Sequence, residues 1–244
     1  DGRVQGGVRE LRRLLEERRL AALFQPIVDL AEGKIVAYES LCRGASANLP
    51  TEPGELFALA SIFGLELELS ALFRTIAVDT LAGLEPLTLF LNTHPHELRD
   101  PSRLLGSLPE LATQARSRHR LVLEVHEAAV TDVGSMRELA GELRARGIAV
   151  AYDDFGAGQA RLVELVEAPP DFLKFDRGLI KGLDGTATSR RRMLGHLLQV
   201  AKDLAIPCIA EGVETPAEAE AVRDLGFDLA QGFLFGRPRP LSVG

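Results

Sequence analysis

Eight short apolar runs recur along this chain, and all but the first two are separated by enough sequence for a helix. The runs cover residues 22–28, 35–41, 87–91, 121–125, 148–152, 172–175, 206–210 and, more weakly, 228–230. Each is too short for a buried helix and rich enough in Val, Ile, Leu and Phe to read as a buried strand. Helical patterns fill the intervals at 8–20, 55–63, 66–81, 101–118, 134–146, 160–166, 188–204 and 216–225, with Gly147, Pro207 and Gly226 where helices should end. Strict alternation of this kind predicts a parallel sheet with helices outside it, and eight such units in 244 residues predict a closed barrel. Only residues 29–34, with Gly33, join the first two runs, which is too short for a parallel crossover and predicts an antiparallel hairpin. The expected fold is therefore α/β: a TIM-type (β/α)8 barrel modified by one antiparallel strand. Residues 1–7 read as linker and 8–244 as the barrel domain. Val8, Leu11, Leu15 and Leu20 line one side of the charged first helix, which could connect to a preceding domain.

Composition narrows the function. The chain is 46% hydrophobic and 26% charged with a formal net charge of −7, and it has no basic stripe, which argues against nucleic acid as a partner. No apolar run reaches the length of a membrane span and no signal peptide is visible. Cys42 and Cys208, both in apolar surroundings, read as buried free thiols of a reducing compartment, so a cytoplasmic location is expected, or the cytoplasmic face if the full-length protein is membrane-anchored. Because the first residue is Asp1, the sequence is expected to be a fragment of a longer chain whose regulatory or sensory part lies elsewhere.

The fifth run ends in Asp153-Asp154, followed by Gly156 and Gly158. Adjacent carboxylates repel each other and call for a compensating cation; alternatively the pair is a solvated turn. The dipeptide alone does not choose between these. The other runs do. The second carries Glu39 and then Arg43, the third ends at Asn92, the fourth carries Glu124, and the sixth carries Lys174 and then Asp176. Glu211 follows the seventh and Gln231 the eighth. Gln25 sits near the start of the first, which a reversed strand would bring to the same barrel face as the carboxyl ends of the others. Such convergence predicts an oxygen-rich site at that face. Hard donors without a Cys/His cluster favour Mg2+ or Mn2+. His94 and His96 have no third ligand nearby in sequence, and His126 stands close enough to the site to modulate it.

These residues resemble the EAL domain, the cyclic di-GMP phosphodiesterase module of bacterial signalling. The signature appears as Glu39-Ser40-Leu41, with Ser for the usual Ala. The segments 24–30, 91–95, 123–127, 153–156, 173–176, 210–214 and 231–235 are similar to further blocks of that family, in the same order. The resemblance implies metal-dependent hydrolysis of one 3′–5′ bond of cyclic di-GMP to linear pGpG. It implies two ions per site, with Glu39, Asn92, Glu124 and Asp153 holding one, and Asp153 bridging to a second beside Asp154. It further implies that Glu211 holds a water, that Lys174 orients the attacking oxygen, and that Glu127 steadies the segment after Asp154. Substrate contacts are implied for Gln25, Glu39, Leu41, Arg43, Asp176 and Gln231, and a homodimer is implied as the working form. One stretch departs from the family: Gln159-Ala160-Arg161 stands where Tyr-Ser-Ser is usual, and His126 replaces a usual Thr. The departure raises an alternative, a cyclic di-GMP receptor with weak or no turnover.

Overall fold

The computed structural model describes residues 2–115, 118–129, 132–157, 162–185 and 188–241. Eight strands close into one barrel in sequence order: β1 (Leu20–Asp29), β2 (Ile35–Gly44), β3 (Thr88–Asn92), β4 (Arg120–His126), β5 (Ala149–Phe155), β6 (Phe172–Phe175), β7 (Cys208–Ala210) and β8 (Leu229–Gln231). Strands β2 to β8 pair parallel with their neighbours, and β1 runs antiparallel to both β2 and β8. The expected modified (β/α)8 barrel is the observed fold, and the hairpin is its reversed strand.

The helices are α1 (Gly2–Glu16), α2 (Pro53–Ile62), α3 (Glu66–Asp79), α4 (Pro101–Gln114), α5 (Val133–Ala145), α6 (Leu162–Glu167), α7 (Arg177–Ile180), α8 (Thr188–Asp203) and α9 (Pro216–Leu225). Several boundaries differ from the expectation, such as β7 beginning at Cys208 and α4 ending at Gln114, and two of them concern the first helix. The segment read as linker is helical from Gly2 onward, and α1 stops at Glu16 instead of running to residue 20. Arg18 adopts φ 53°, a left-handed conformation that ends the helix, and β1 then begins at Leu20 because its antiparallel ladder with β2 extends from Leu20 opposite Gly44. The short α7 was not expected. It starts where Asp176 accepts a hydrogen bond from the Gly178 amide at 2.8 Å.

Alternation along the strands sorts side chains into two sets. One set, including Leu89, Leu91, Leu123, Val150, Leu173 and Ala210, packs outward against the helices. The other fills the barrel: Ile27, Ala37, Phe90, Val122, Ala149, Ala151 and Ile209, with Phe172 and Leu229 against them. A third cluster joins α1 to α2 and α3 through Leu11, Leu14, Leu56, Ala60 and Leu69. Cys42 and Cys208 are buried free thiols, as the sequence suggested. No helix among the described residues is long and apolar enough to cross a membrane.

Past β8, Gly232 lies directly on the backbone of Val213. A Cβ there would sit 2.1 Å from the Val213 carbonyl oxygen and 2.4 Å from its nitrogen. Backbone cannot rotate aside as a side chain would, so Gly232→Ala should cost about 2 kcal/mol or more. Thermal unfolding followed by circular dichroism should show a loss of roughly four degrees or more. A melting temperature equal to the wild type would show that this contact relaxes freely.

Candidate active site

The polar cluster follows from the register of the barrel interior. Two residues beyond an inward apolar residue, the next inward position is polar on every parallel strand. Ala37 is followed by Glu39, Phe90 by Asn92, Val122 by Glu124 and Ala151 by Asp153. Phe172 is followed by Lys174, Ile209 by Glu211 and Leu229 by Gln231. On the reversed β1 the order inverts, and Gln25 precedes Ile27. One ring of side chains at the carboxyl-terminal mouth is thus polar throughout.

Lys174 stands at its centre, 1% exposed. Its Nζ lies 2.5 Å from Glu124 Oε1, 2.7 Å from Glu211 Oε1, 2.9 Å from Asp153 Oδ1 and 3.4 Å from Glu39 Oε2. Burial alone would pull this ammonium down, but the carboxylates of Asp153, Glu124, Glu211 and Glu39 outweigh it and hold the lysine well above its ordinary value. The carboxyls move the other way. Burial, reinforced by the charge of Glu39, drives Glu124 well above the usual carboxylate range. Burial likewise pushes Glu211 up to about 8 despite the nearby ammonium. Asp154 is raised by burial and by its neighbour Asp153, with His126 Nε2, 3.1 Å from Asp154 Oδ2, acting in opposition.

Adjacent residues of a regular strand face opposite ways, yet both Asp153 and Asp154 serve this cluster. The β5–β6 register shifts between Tyr152 and Phe155, and Asp154 adopts φ 56°. The irregularity together with the left-handed residue turns the second carboxylate back toward the mouth. Ligand atoms of Asp153, Asp154 and Glu211 all fall within 4.8 Å of one another. The segment continues through Gly156, whose amide donates to Glu127 Oε2 at 3.1 Å. The divergent Gln159, Ala160 and Arg161 lie outside the described residues.

Amides complete the ring. Gln231 Nε2 donates to Glu39 Oε2 at 2.6 Å and to Gln25 Oε1 at 3.2 Å, and Gln25 Nε2 donates to the Gly236 carbonyl at 3.1 Å. Asn92 Nδ2 donates to Glu39 Oε1 at 3.0 Å. Above the ring lies a cleft of about 220 Å3 lined by Gln25, Glu39, Leu41, Asp154, Asp176, Glu211 and Gln231. A second, largely apolar cavity of about 320 Å3 shares Glu39 and Leu41 with it and is walled by Pro53, Phe57, Phe73 and Leu91. Arg43 lines neither: its side chain, 25% exposed, reaches Glu52 at 3.5 Å and the Cys42 carbonyl at 3.0 Å.

Sequence reasoning missed several residues. Arg177, Glu214 and Phe233 line the cleft, and Arg237 stacks over the Phe233 ring at 4.1 Å. Nothing in the spacing singled them out. His96 is not isolated, since its Nδ1 lies 3.0 Å from Glu66 Oε1. Behind Asn92, Arg74 pairs with Glu97 in full burial. Glu97 did leave a signal: Thr-His-Pro-His-Glu is a capping sequence, and Glu97 closes the turn Pro95–Leu98 by accepting the His94 amide.

Fold and site together define a (β/α)8 barrel whose mouth is a carboxylate ring suited to hard divalent cations. The chain belongs to the EAL domain family, which it matches over residues 8–238. It is 32% identical over 245 residues to the cyclic di-GMP phosphodiesterase NbdA of Pseudomonas aeruginosa, covering 96% of this chain and 31% of that protein. The PaMucR phosphodiesterase, solved in complex with c-di-GMP, superposes with a TM-score of 0.82 at 28% identity over 96% of this chain and 98% of that one. BlrP1 of Klebsiella pneumoniae, solved with manganese and cyclic di-GMP, gives 0.78 at 27% identity over 91% and 56%. The chain spans less than half the length of the curated relatives it matches.

Proposed function

We propose that this domain hydrolyses one 3′–5′ phosphodiester bond of cyclic di-GMP, giving linear pGpG, with two Mg2+ or Mn2+ ions. The observation that carries the reading is the surplus of buried anionic oxygen around Lys174. Four carboxylates (Glu39, Glu124, Asp153 and Glu211) surround one ammonium, and a fifth, Asp154, lies beside Asp153 and Glu211. Glu124 Oε1 and Asp153 Oδ1 have the shared Lys174 ammonium as their partner, and Glu124 Oε2 is buried without a hydrogen bond. Burying anionic oxygen in this way is costly unless a cation shares the site. Two divalent ions would neutralise the surplus, and all-oxygen donors suit Mg2+ or Mn2+.

Glu39, Asn92, Glu124 and Asp153 would hold one ion, and Asp153 with Asp154 the other. Bound there, the ions would acidify a water and draw charge from the scissile phosphodiester. Lys174 donates to the attacking oxygen and offsets charge as it develops, from a position already fixed by its four partners. Glu211 orients that water, and Glu127 holds the Gly156 amide so that Asp154 keeps its direction. Gln25, Gln231 and Asp176 face the substrate across the cleft with Leu41 beneath it, while Arg43 would reach a phosphate by leaving Glu52. Two adjoining cavities that share Glu39 and Leu41 suit a ligand with two bases, one of them against Phe57 and Phe73.

Chromatography of purified protein incubated with cyclic di-GMP and Mn2+ or Mg2+ tests this reading. Accumulation of pGpG is expected; tight binding without pGpG would make the domain a receptor, and neither binding nor product would defeat the proposal.

Glu211 gives a pH signature. Its folded value near 8 exceeds the ordinary 4.5, so between these the metal-free folded state binds more protons than the unfolded one. This contribution to stability is complete below about pH 4.5 and is lost as pH rises through 8. Metal-free melting temperatures should therefore fall from pH 5 to pH 8. Cation binding favours the ionised forms of Glu124 and Glu211, both raised in the metal-free site, so apparent Mn2+ affinity should rise with pH toward 8. Calorimetry across pH checks this; a flat profile would show that no buried proton is displaced when the cation binds.

A further inference from the structure

Arg74 lies within α3, 1% exposed, and its partner Glu97, on the turn after β3, is 3% exposed. The pair is bidentate, with Nη2 donating to Glu97 Oε1 at 2.6 Å and Nη1 to Oε2 at 2.9 Å. Ser70 joins it, accepting from Arg74 Nη1 at 2.9 Å and donating to Glu97 Oε2 at 2.8 Å. Stability gives a poor account of this arrangement. Desolvating two charges cancels most of their attraction, and well-packed apolar residues often serve as well or better. Here the Arg74 Nε–H is also left buried without a partner, which is a further cost.

What apolar side chains could not do is grip the backbone. Arg74 Nη1 donates to the Asn92 carbonyl at 3.3 Å, and Glu97 Oε2 accepts the His94 amide at 2.9 Å. The pair thus holds the chain on both sides of Thr93. Thr93 in turn donates to the Glu124 carbonyl, from its hydroxyl at 2.7 Å and its amide at 3.1 Å. Asn92 meanwhile holds Glu39 through its side chain. Three of the four donors assigned to one ion are therefore fixed through a single buried network.

We propose that Arg74 and Glu97 are positioning residues for that ion site: although Arg74 also borders the apolar cavity, the pair acts by setting where Asn92 and Glu124 stand. The inference rests on the proposed function, because it presumes that those side chains bind a divalent cation.

The test is Mn2+ titration by calorimetry of the wild type, the apolar double variant R74M/E97L, and R74K. Outer partners of metal ligands are typically worth ten- to hundredfold in affinity. The double variant should melt within a few degrees of the wild type and bind Mn2+ ten- to hundredfold more weakly. Its kcat should recover toward wild type at saturating Mn2+. R74K, which keeps the charge but loses the planar fork, should fall in between. A folded double variant with wild-type Mn2+ affinity overturns the inference and leaves the proposed function standing. A wild-type domain that binds no Mn2+ overturns the proposed function itself. If the double variant does not fold, R74K and E97Q decide by the same criterion, and unchanged affinity in both overturns the inference.

Discussion

Asp153→Asn should leave a folded barrel that no longer hydrolyses cyclic di-GMP and has lost at least one divalent-ion site. In the proposed arrangement Asp153 is the carboxylate shared by both ions; it lies 2.9 Å from Lys174 and clusters with Asp154 and Glu211. Charge stabilisation by a bound ion supplies several kcal/mol to a transition state, so a loss of about a thousandfold or more in rate is expected. The folded state should respond in the opposite sense. Asp153 helps to raise Glu124, Asp154 and Glu211, and an Asn retains an oxygen able to accept from Lys174. The metal-free variant should therefore melt no lower than the wild type, while the rise in melting temperature on adding Mn2+ shrinks or disappears. Unchanged Mn2+ stoichiometry and affinity by calorimetry would refute the two-ion arrangement.

Lys174→Met should separate chemistry from binding and expose how the site is held together without ions. The substitution nearly preserves side-chain length but leaves Glu39, Glu124, Asp153 and Glu211 with no buried cation. Removing one side of a buried ion cluster typically costs about 3–5 kcal/mol. The loss should be smaller at pH 5, where burial leaves Glu124 and Glu211 protonated, and should grow as pH rises toward 8. Mn2+ should restore much of it. Hydrolysis at saturating Mn2+ should fall by roughly a hundred- to a thousandfold with little change in substrate affinity, because the ammonium acts mainly on charge that develops in the transition state. Equal losses in affinity and rate would make Lys174 a substrate-binding residue. Unchanged melting at both pH values would mean that the cluster does not depend on it.

The barrel could be read from the chain because its constraints are local. A six-residue link at 29–34 permits only a hairpin, and helix-length intervals elsewhere permit only parallel returns. The ring at the mouth could be read because each member sits one inward step from an apolar interior residue, as Glu124 does from Val122 and Lys174 from Phe172. What escaped depends on long-range packing or on broken local rules. Arg74 on α3 looks like any charged helical residue until the turn carrying Glu97 arrives 23 residues later. Arg43 stands at the expected strand end, but its long side chain turns toward Glu52. Alternation would have sent Asp153 and Asp154 to opposite faces; only the register shift and the left-handed Asp154 reunite them.

The reversed first strand also places the end of the first helix at the rim of the barrel. In a barrel of eight parallel strands the chain arrives at the floor, a full strand length from the chemistry. Here β1 starts at the rim, so α1 ends there too. The Arg19 carbonyl accepts the Ala45 amide at 2.9 Å, just past Arg43, and Ser46 donates to Glu10 at 3.1 Å. Leu11 and Leu14 of α1 pack with Leu69 of α3, the helix that carries Arg74. A twist applied to α1 would therefore act as a short lever, with one arm against the segment after Arg43 and the other against the helix that sets Asn92. The first helix thus stands on the same side of the barrel as the carboxylate ring, with no barrel between them.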